Sequence, residues 1–153
     1  MKVTDLFGEV VYSYTRQQAI EDGVLVDVSP LAREAGFKIP VALTSAVYGI
    51  VESIPKCRDF QDVQGRLWDV LWMGSLGARN NKDKAQFVYS LSLPHMVRKQ
   101  VYYKPKIDLK KGTFTDGYYK ERNVLVNNIT LNMVISGGDN GEPVITIMLP
   151  NED

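Results

Sequence analysis

The segment from about Asn123 to Leu149 constrains the fold more than any other part of the chain. Ile129, Leu131, Met133 and Ile135 alternate with Thr130, Asn132 and Ser136. A period of two of this kind sends apolar side chains to one face of a half-buried strand. Gly137-Gly138-Asp139-Asn140-Gly141 follows and supplies residues that tolerate the positive φ of a tight turn. Val144 to Leu149 is apolar on both faces, as expected of a central strand covered from two sides. The pattern predicts a C-terminal β-hairpin.

Upstream, strand and helix signals are mixed, so the chain reads as α+β. Glu9 to Tyr14 and Val24 to Val28 are rich in β-formers and read as strands. Between them, Thr15 fits a helix N-cap with Gln18 at the capping-box position and Gly23 as terminator. Ser29-Pro30 reads as a capping hydroxyl followed by proline at the first helical position, with Gly36 ending that short helix. Pro40 introduces Val41 to Leu43, and Thr44 caps a helix running to about Ile54.

The strongest helical pattern spans about Gln61 to Arg79, where Val63, Leu67, Val70, Leu71 and Ala78 form a stripe that Trp68, Trp72 and Leu76 broaden. Such a wide apolar arc predicts a largely buried helix. Gly65, Gly74 and Gly77 inside it suit close packing against a sheet. Gln86 to Leu91 reads as a strand broken by Pro94, Gln100 to Leu109 as an edge strand interrupted by Pro105, and Lys110 to Gly117 as a loop. The expected architecture is a single domain over residues 1–153. It is a mostly antiparallel sheet ending in the C-terminal hairpin, packed on the Trp-bearing helix and two or three shorter ones.

At 153 residues the chain is long enough to bury a core without disulfide or metal staples. Cys57 is its one cysteine and His95 its one histidine, so neither a disulfide within the chain nor a Cys/His zinc site is expected. The N-terminal residues lack the apolar run of a signal peptide, and no stretch approaches the ~20 apolar residues of a membrane span. The expected address is the cytoplasm of a bacterial host cell, without membrane contact.

Formal net charge is zero, but the charges are segregated. Arg98, Lys99, Lys104, Lys106, Lys110, Lys111, Lys120 and Arg122 face only Asp108, Asp116 and Glu121 between residues 95 and 122. A local excess of this kind concerns partners rather than fold.

The chain contains no Gly-x-x-x-x-Gly-Lys loop and no Gly-x-Gly-x-x-Gly between a strand and a helix. Gly137 to Gly141 lies between two strands, so it reads as a turn rather than a phosphate cradle. Cys57 between Lys56 and Arg58 would favour thiolate, and it could pair across space with His95, yet one cysteine and one histidine in a chain of this size coincide by chance too often to signal a dyad. His95, after Pro94, reads as a surface loop residue. Asp59 and Asp62 read as helix N-terminal charges and Asp139 as a turn former. No catalytic residue, metal site or cofactor is assigned.

Charged residues inside apolar runs carry more information. Asp27 interrupts Val24 to Val28, while Arg66 and Asp69 flank Leu67 and Trp68. The structural expectation is an Arg66–Asp69 pair at i,i+3. The functional expectation is a pocket that Arg66, Asp69 and Trp72 line with Tyr14 and Arg16, and Asp27 is a further ligand-binding candidate. The basic segment is the second candidate. There Tyr102, Tyr103, Tyr118 and Tyr119 interleave with Lys104, Lys106, Lys120 and Arg122, a combination suited to stacking on a base while neutralising phosphate. The zero net charge argues against a dedicated duplex binder and favours a small anion such as a nucleotide.

Three stretches carry a resemblance: Tyr14-Thr15-Arg16-Gln17-Gln18-Ala19-Ile20 onward to Val28, then Gly65-Arg66-Leu67-Trp68-Asp69-Val70-Leu71-Trp72-Met73, then Gly138-Asp139-Asn140-Gly141-Glu142-Pro143 onward to Pro150. Together they resemble a family of short proteins carried on bacterial plasmids and phages, with no assigned function. Residues 86–122 fall outside the resemblance. It implies a mobile-element accessory protein. The expected activity is non-enzymatic: binding and inhibiting a host defence protein, or sequestering an anionic nucleotide messenger. The alternatives are a small enzyme on a nucleotide substrate, with Asp27 or Asp69 as acid–base group, and a homodimer pairing through the Gln100–Leu109 edge.

Overall fold

A computed structural model describes residues 14–152. The first strand expected from Glu9 lies almost wholly outside them, and Tyr14, its one described residue, is not in a strand.

The described chain is an α+β fold built on a five-stranded sheet. In chain order its elements are α1 (Arg16–Glu21), β1 (Leu25–Asp27), α2 (Ser29–Glu34), β2 (Val41–Thr44), α3 (Ser45–Glu52), α4 (Val63–Asn80), β3 (Gln86–Tyr103), β4 (Lys106–Asp108), β5 (Thr113–Thr115), β6 (Tyr118–Gly137) and β7 (Pro143–Met148), with one 3₁₀ turn at Lys56–Arg58. The sheet order is β1-β2-β7-β6-β3, antiparallel except between β2 and β7, and β4 pairs with β5 separately. The C-terminal hairpin is therefore present as β6–β7, and β7 is the central strand that its two-sided apolar pattern demands.

Register explains the layers. Phe87, Tyr89 and Leu91 stand opposite Met133, Leu131 and Ile129, and Met133 stands opposite Ile147, which stands opposite Leu43. These side chains share one face of the sheet and, with Val47 and Val51 of α3 and Val70 and Leu71 of α4, form the core. The alternate face carries Thr146, where the Arg16 guanidinium of α1 docks.

Helix starts follow the local chemistry closely. Thr15 and Gln18 make the reciprocal capping box, Thr44 caps α3, and the Asp62 carboxylate accepts from the Gly65 amide at the start of α4. Ser29 departs from expectation. Its amide and hydroxyl both donate to Asp27, and its oxygen accepts from the Val41 amide, so it ties β1 to β2 instead of capping α2. Helix α4 also departs from it. Only one stripe, including Val70, Leu71, Gly74 and Ser75, is buried, while Trp72 and Met73 are exposed. The glycines account for the close fit: a Cβ on Gly74 would lie 2.8 Å from the Met133 methyl and one on Gly77 2.8 Å from the Phe87 ring.

The middle of the chain differs most from its sequence reading. Pro94 does not end a strand. Pairing shifts register between Ser92 and His95, a bulge that accommodates the missing N–H, and the strand continues to Tyr103. The partner strand starts at Tyr118, five residues before the expected Asn123. Chain 110–117, expected as loop, contains the short strand β5. Among the described residues, beyond the end of β7 opposite Asn132, β3 and β6 pair only with each other, as a two-stranded ribbon.

Candidate functional site

The expected single pocket is not formed; its members occupy separate places. Tyr14 donates from its hydroxyl to Asp22 at 2.6 Å, beside α1. Arg16 and Asp27 line a cleft of about 380 Å³ with Arg33, Asp139 and Glu142. Arg66 and Asp69 line another. Trp72 stacks on Trp68 at 5.9 Å, with the Arg79 guanidinium 5.9 Å from its ring centre. Tyr102, Tyr103, Lys104 and Lys106 lie at the far end of the ribbon.

Arg16 is anchored to the sheet. Nη1 donates to Thr146 Oγ1 and Nη2 to the Ile145 carbonyl, both at 2.7 Å. Burial lowers its pKa, opposed by Asp27, Asp139 and Glu142, and this carboxylate surround disfavours an anionic guest in the cleft. Asp139 does more than form the turn. Its carboxylate accepts from the Arg16 and Gln17 amides at 2.7 and 3.1 Å, fastening α1 to the hairpin.

Arg66 is 2% exposed. Nε donates to the Val51 carbonyl, Nη2 to Ile50, and Nη1 to both Gln61 Oε1 and the Pro94 carbonyl, all within 2.9 Å. The expected i,i+3 ion pair with Asp69 gives way to these contacts, because the carbonyls at the end of α3 and at the bulge lack ladder partners. Desolvation lowers the Arg66 pKa and raises that of Asp69, each opposed by the other's charge. His95 is likewise buried, its Nδ1 2.7 Å from the Leu93 carbonyl, and is not on a surface loop. Cys57 is exposed on the 3₁₀ turn. Among the described residues, no three His, Cys, Asp or Glu side chains gather into a metal site, and no helix is long and apolar enough to cross a membrane.

The ribbon gathers what the sequence left scattered. From Met96 to Tyr103 it extends roughly 27 Å at the usual strand rise. Val97, Lys99, Val101 and Tyr103 stand opposite Val124, Arg122, Lys120 and Tyr118 on one face. This face carries three cations, two tyrosines and no acid. The other face pairs Arg98, Gln100 and Tyr102 with Asn123, Glu121 and Tyr119, and there Arg98 is neutralised by Glu121 at 3.1 Å.

Tyr103 and Tyr118 stack at 5.1 Å, and Arg122 Nη1 donates to the Tyr103 hydroxyl at 3.2 Å. Tyr102 and Tyr119 meet at 5.0 Å on the reverse. Beyond them the β4–β5 apex exposes Ile107, Leu109 and Phe114. Lys99, Lys120, Arg122 and Tyr118, all within the basic, tyrosine-rich segment that the sequence singles out, are thus brought onto one face with Tyr103.

A family model matches residues 4–153. The chain belongs to DUF6573, a family of unknown function. The matched span of DUF6573 includes residues 86–122, so the ribbon lies within the family's extent. No curated protein and no solved structure matches the chain.

Proposed function

We propose that the protein acts by binding, holding an anionic, phosphate-bearing partner on the basic face of its ribbon. One observation carries this reading: Lys99 stands directly opposite Arg122, with Lys120 two residues from Arg122 on the same face. Like charges directly opposed across a strand pair weaken it. A local conflict with the fold is expected where a surface is shaped for a partner, and a bound anion turns the repulsion into attraction. In the plasmid or phage setting that the sequence resemblance implies, the target would be a host defence component or its nucleotide messenger.

Heparin chromatography tests the anion site. Retention of the wild-type chain, lost in K99E/K120E/R122E and kept in Arg33→Glu at the cleft, is the expected outcome. Passage of the wild type through the column without retention refutes the reading.

A small enzyme is the second reading, and the raised pKa of Asp69 beside a cleft favours it. Incubation with a panel of nucleotides, followed by denaturation and analysis of the released ligand, separates the two. Unchanged ligand supports sequestration; altered ligand supports catalysis.

A further inference from the structure

We infer that the ribbon's partner is a single-stranded nucleic acid, its phosphates following Lys99, Arg122 and Lys120 while unpaired bases stack on the outward tyrosine rings. This deepens the anion-binding reading and rests on it. Three features favour a strand over a mononucleotide or a duplex.

The first is openness. Among the described residues, the cations lie along a ribbon that no second element walls in, whereas pockets for small molecules enclose most of the ligand's surface. An extended polymer needs only a track. The second is order along the track. Lys99 and Arg122 come first, then Lys120, then the Tyr103–Tyr118 pair, with Lys104 and Lys106 beyond. Cation and ring succeed one another as phosphate and base do in a strand.

The third is ring availability. Tyr118, on the cationic face, is 46% exposed, and Arg122 is held toward the Tyr103–Tyr118 pair by its bond to Tyr103. An exposed ring stacks on an unpaired base, whose face a duplex would already have covered with its neighbours. A duplex would use the cations and leave the rings idle.

The full chain is titrated by fluorescence anisotropy against a labelled oligothymidylate of about fifteen nucleotides, the matching duplex and a cyclic dinucleotide. The single strand is expected to bind best, with a log–log salt slope of about −2 for three phosphate contacts. K99A/K120A/R122A is expected to weaken it at least about tenfold and flatten the slope. Tyr118→Ala is expected to weaken it about tenfold with the slope unchanged, since a ring carries no charge. Arg98→Ala, on the opposite face, should change little, and circular dichroism confirms that each variant is folded.

Equal or tighter binding of the duplex, or of the dinucleotide, overturns the inference. So does full affinity in Tyr118→Ala, or a loss that appears only in Leu109→Ser at the apex. Ribbon-dependent heparin retention without oligonucleotide binding defeats this inference and leaves the anion-binding reading standing; failure of both defeats both.

Discussion

Arg66 donates a 2.8 Å hydrogen bond to the carbonyl of Pro94, joining α4 to the bulge from which the ribbon departs. The same guanidinium closes the C-terminal end of α3 through Ile50 and Val51. Removing it strands several buried acceptors at once. Arg66→Ala is expected to cost about 3–5 kcal/mol in denaturant unfolding, as for other buried charged networks broken on one side. Arg66→Lys should still cost about 1–3 kcal/mol, because one ammonium cannot span the acceptors that the planar fork reaches. A loss below about 1 kcal/mol for the alanine variant would show the clamp to be dispensable.

Two helical glycines should respond to alanine with opposite sign. At Gly74 the new methyl would meet the Met133 methyl at 2.8 Å and the Tyr89 hydroxyl at 3.0 Å, and that hydroxyl already donates to the Val70 carbonyl. Gly74→Ala is expected to destabilise by about 1–3 kcal/mol through overpacking. Gly49 in α3 has open space where a Cβ would go, so Gly49→Ala should stabilise by about 0.4–1 kcal/mol. Thermal melts of the two variants check both.

Asp139 should behave as a helix cap supplied from a distant turn. Asp139→Ala removes the acceptor for the Arg16 and Gln17 amides and is expected to cost about 1 kcal/mol. Faster hydrogen exchange at those two amides would localise the effect, while unchanged exchange would contradict it.

Asp69 gives a pH dependence. Its carboxyl pKa is raised above the ordinary 3.8 by desolvation, partly opposed by Arg66. The folded state therefore holds this proton more tightly than the unfolded one. The associated stability is fully present below pH 3.8 and is lost as pH rises through the folded value. Asp69→Asn should remove that decline, making the variant relatively more stable at neutral pH than in acid. Parallel curves for the two proteins across the acid range would exclude it.

Local signals were legible in the sequence wherever they were complete within a few residues. The Thr15–Gln18 capping box, the Thr44 cap and the alternation of Ile129 to Ile135 all formed as their chemistry dictates. The failures came where distant partners decided. Pro94 looks like a strand breaker alone, but a register shift against β6 absorbs it. Ser29 looks like a cap, but Asp27 and Val41 claim its hydrogen bonds. Arg66 and Asp69 look like a pair, but backbone carbonyls of α3 and β3 that need a donor converge on Arg66. The cationic face was hidden for the same reason: Lys99 and Arg122 are neighbours only across a ladder.

The ribbon also orders the assembly of the molecule in time. Tyr103 and Tyr118 need only a short loop to meet, Gln86 and Val134 a longer one, and Val41 and Ile145 come from near opposite ends of the chain. Loop-closure entropy rises with that separation, so pairing proceeds inward from the apex like a zipper. Because an isolated two-stranded hairpin is marginal, the zipper holds only once it reaches Leu91 and Ile129 and their apolar cover. The parallel β2–β7 contact, with the greatest separation, closes last and makes folding slow for a chain of this size.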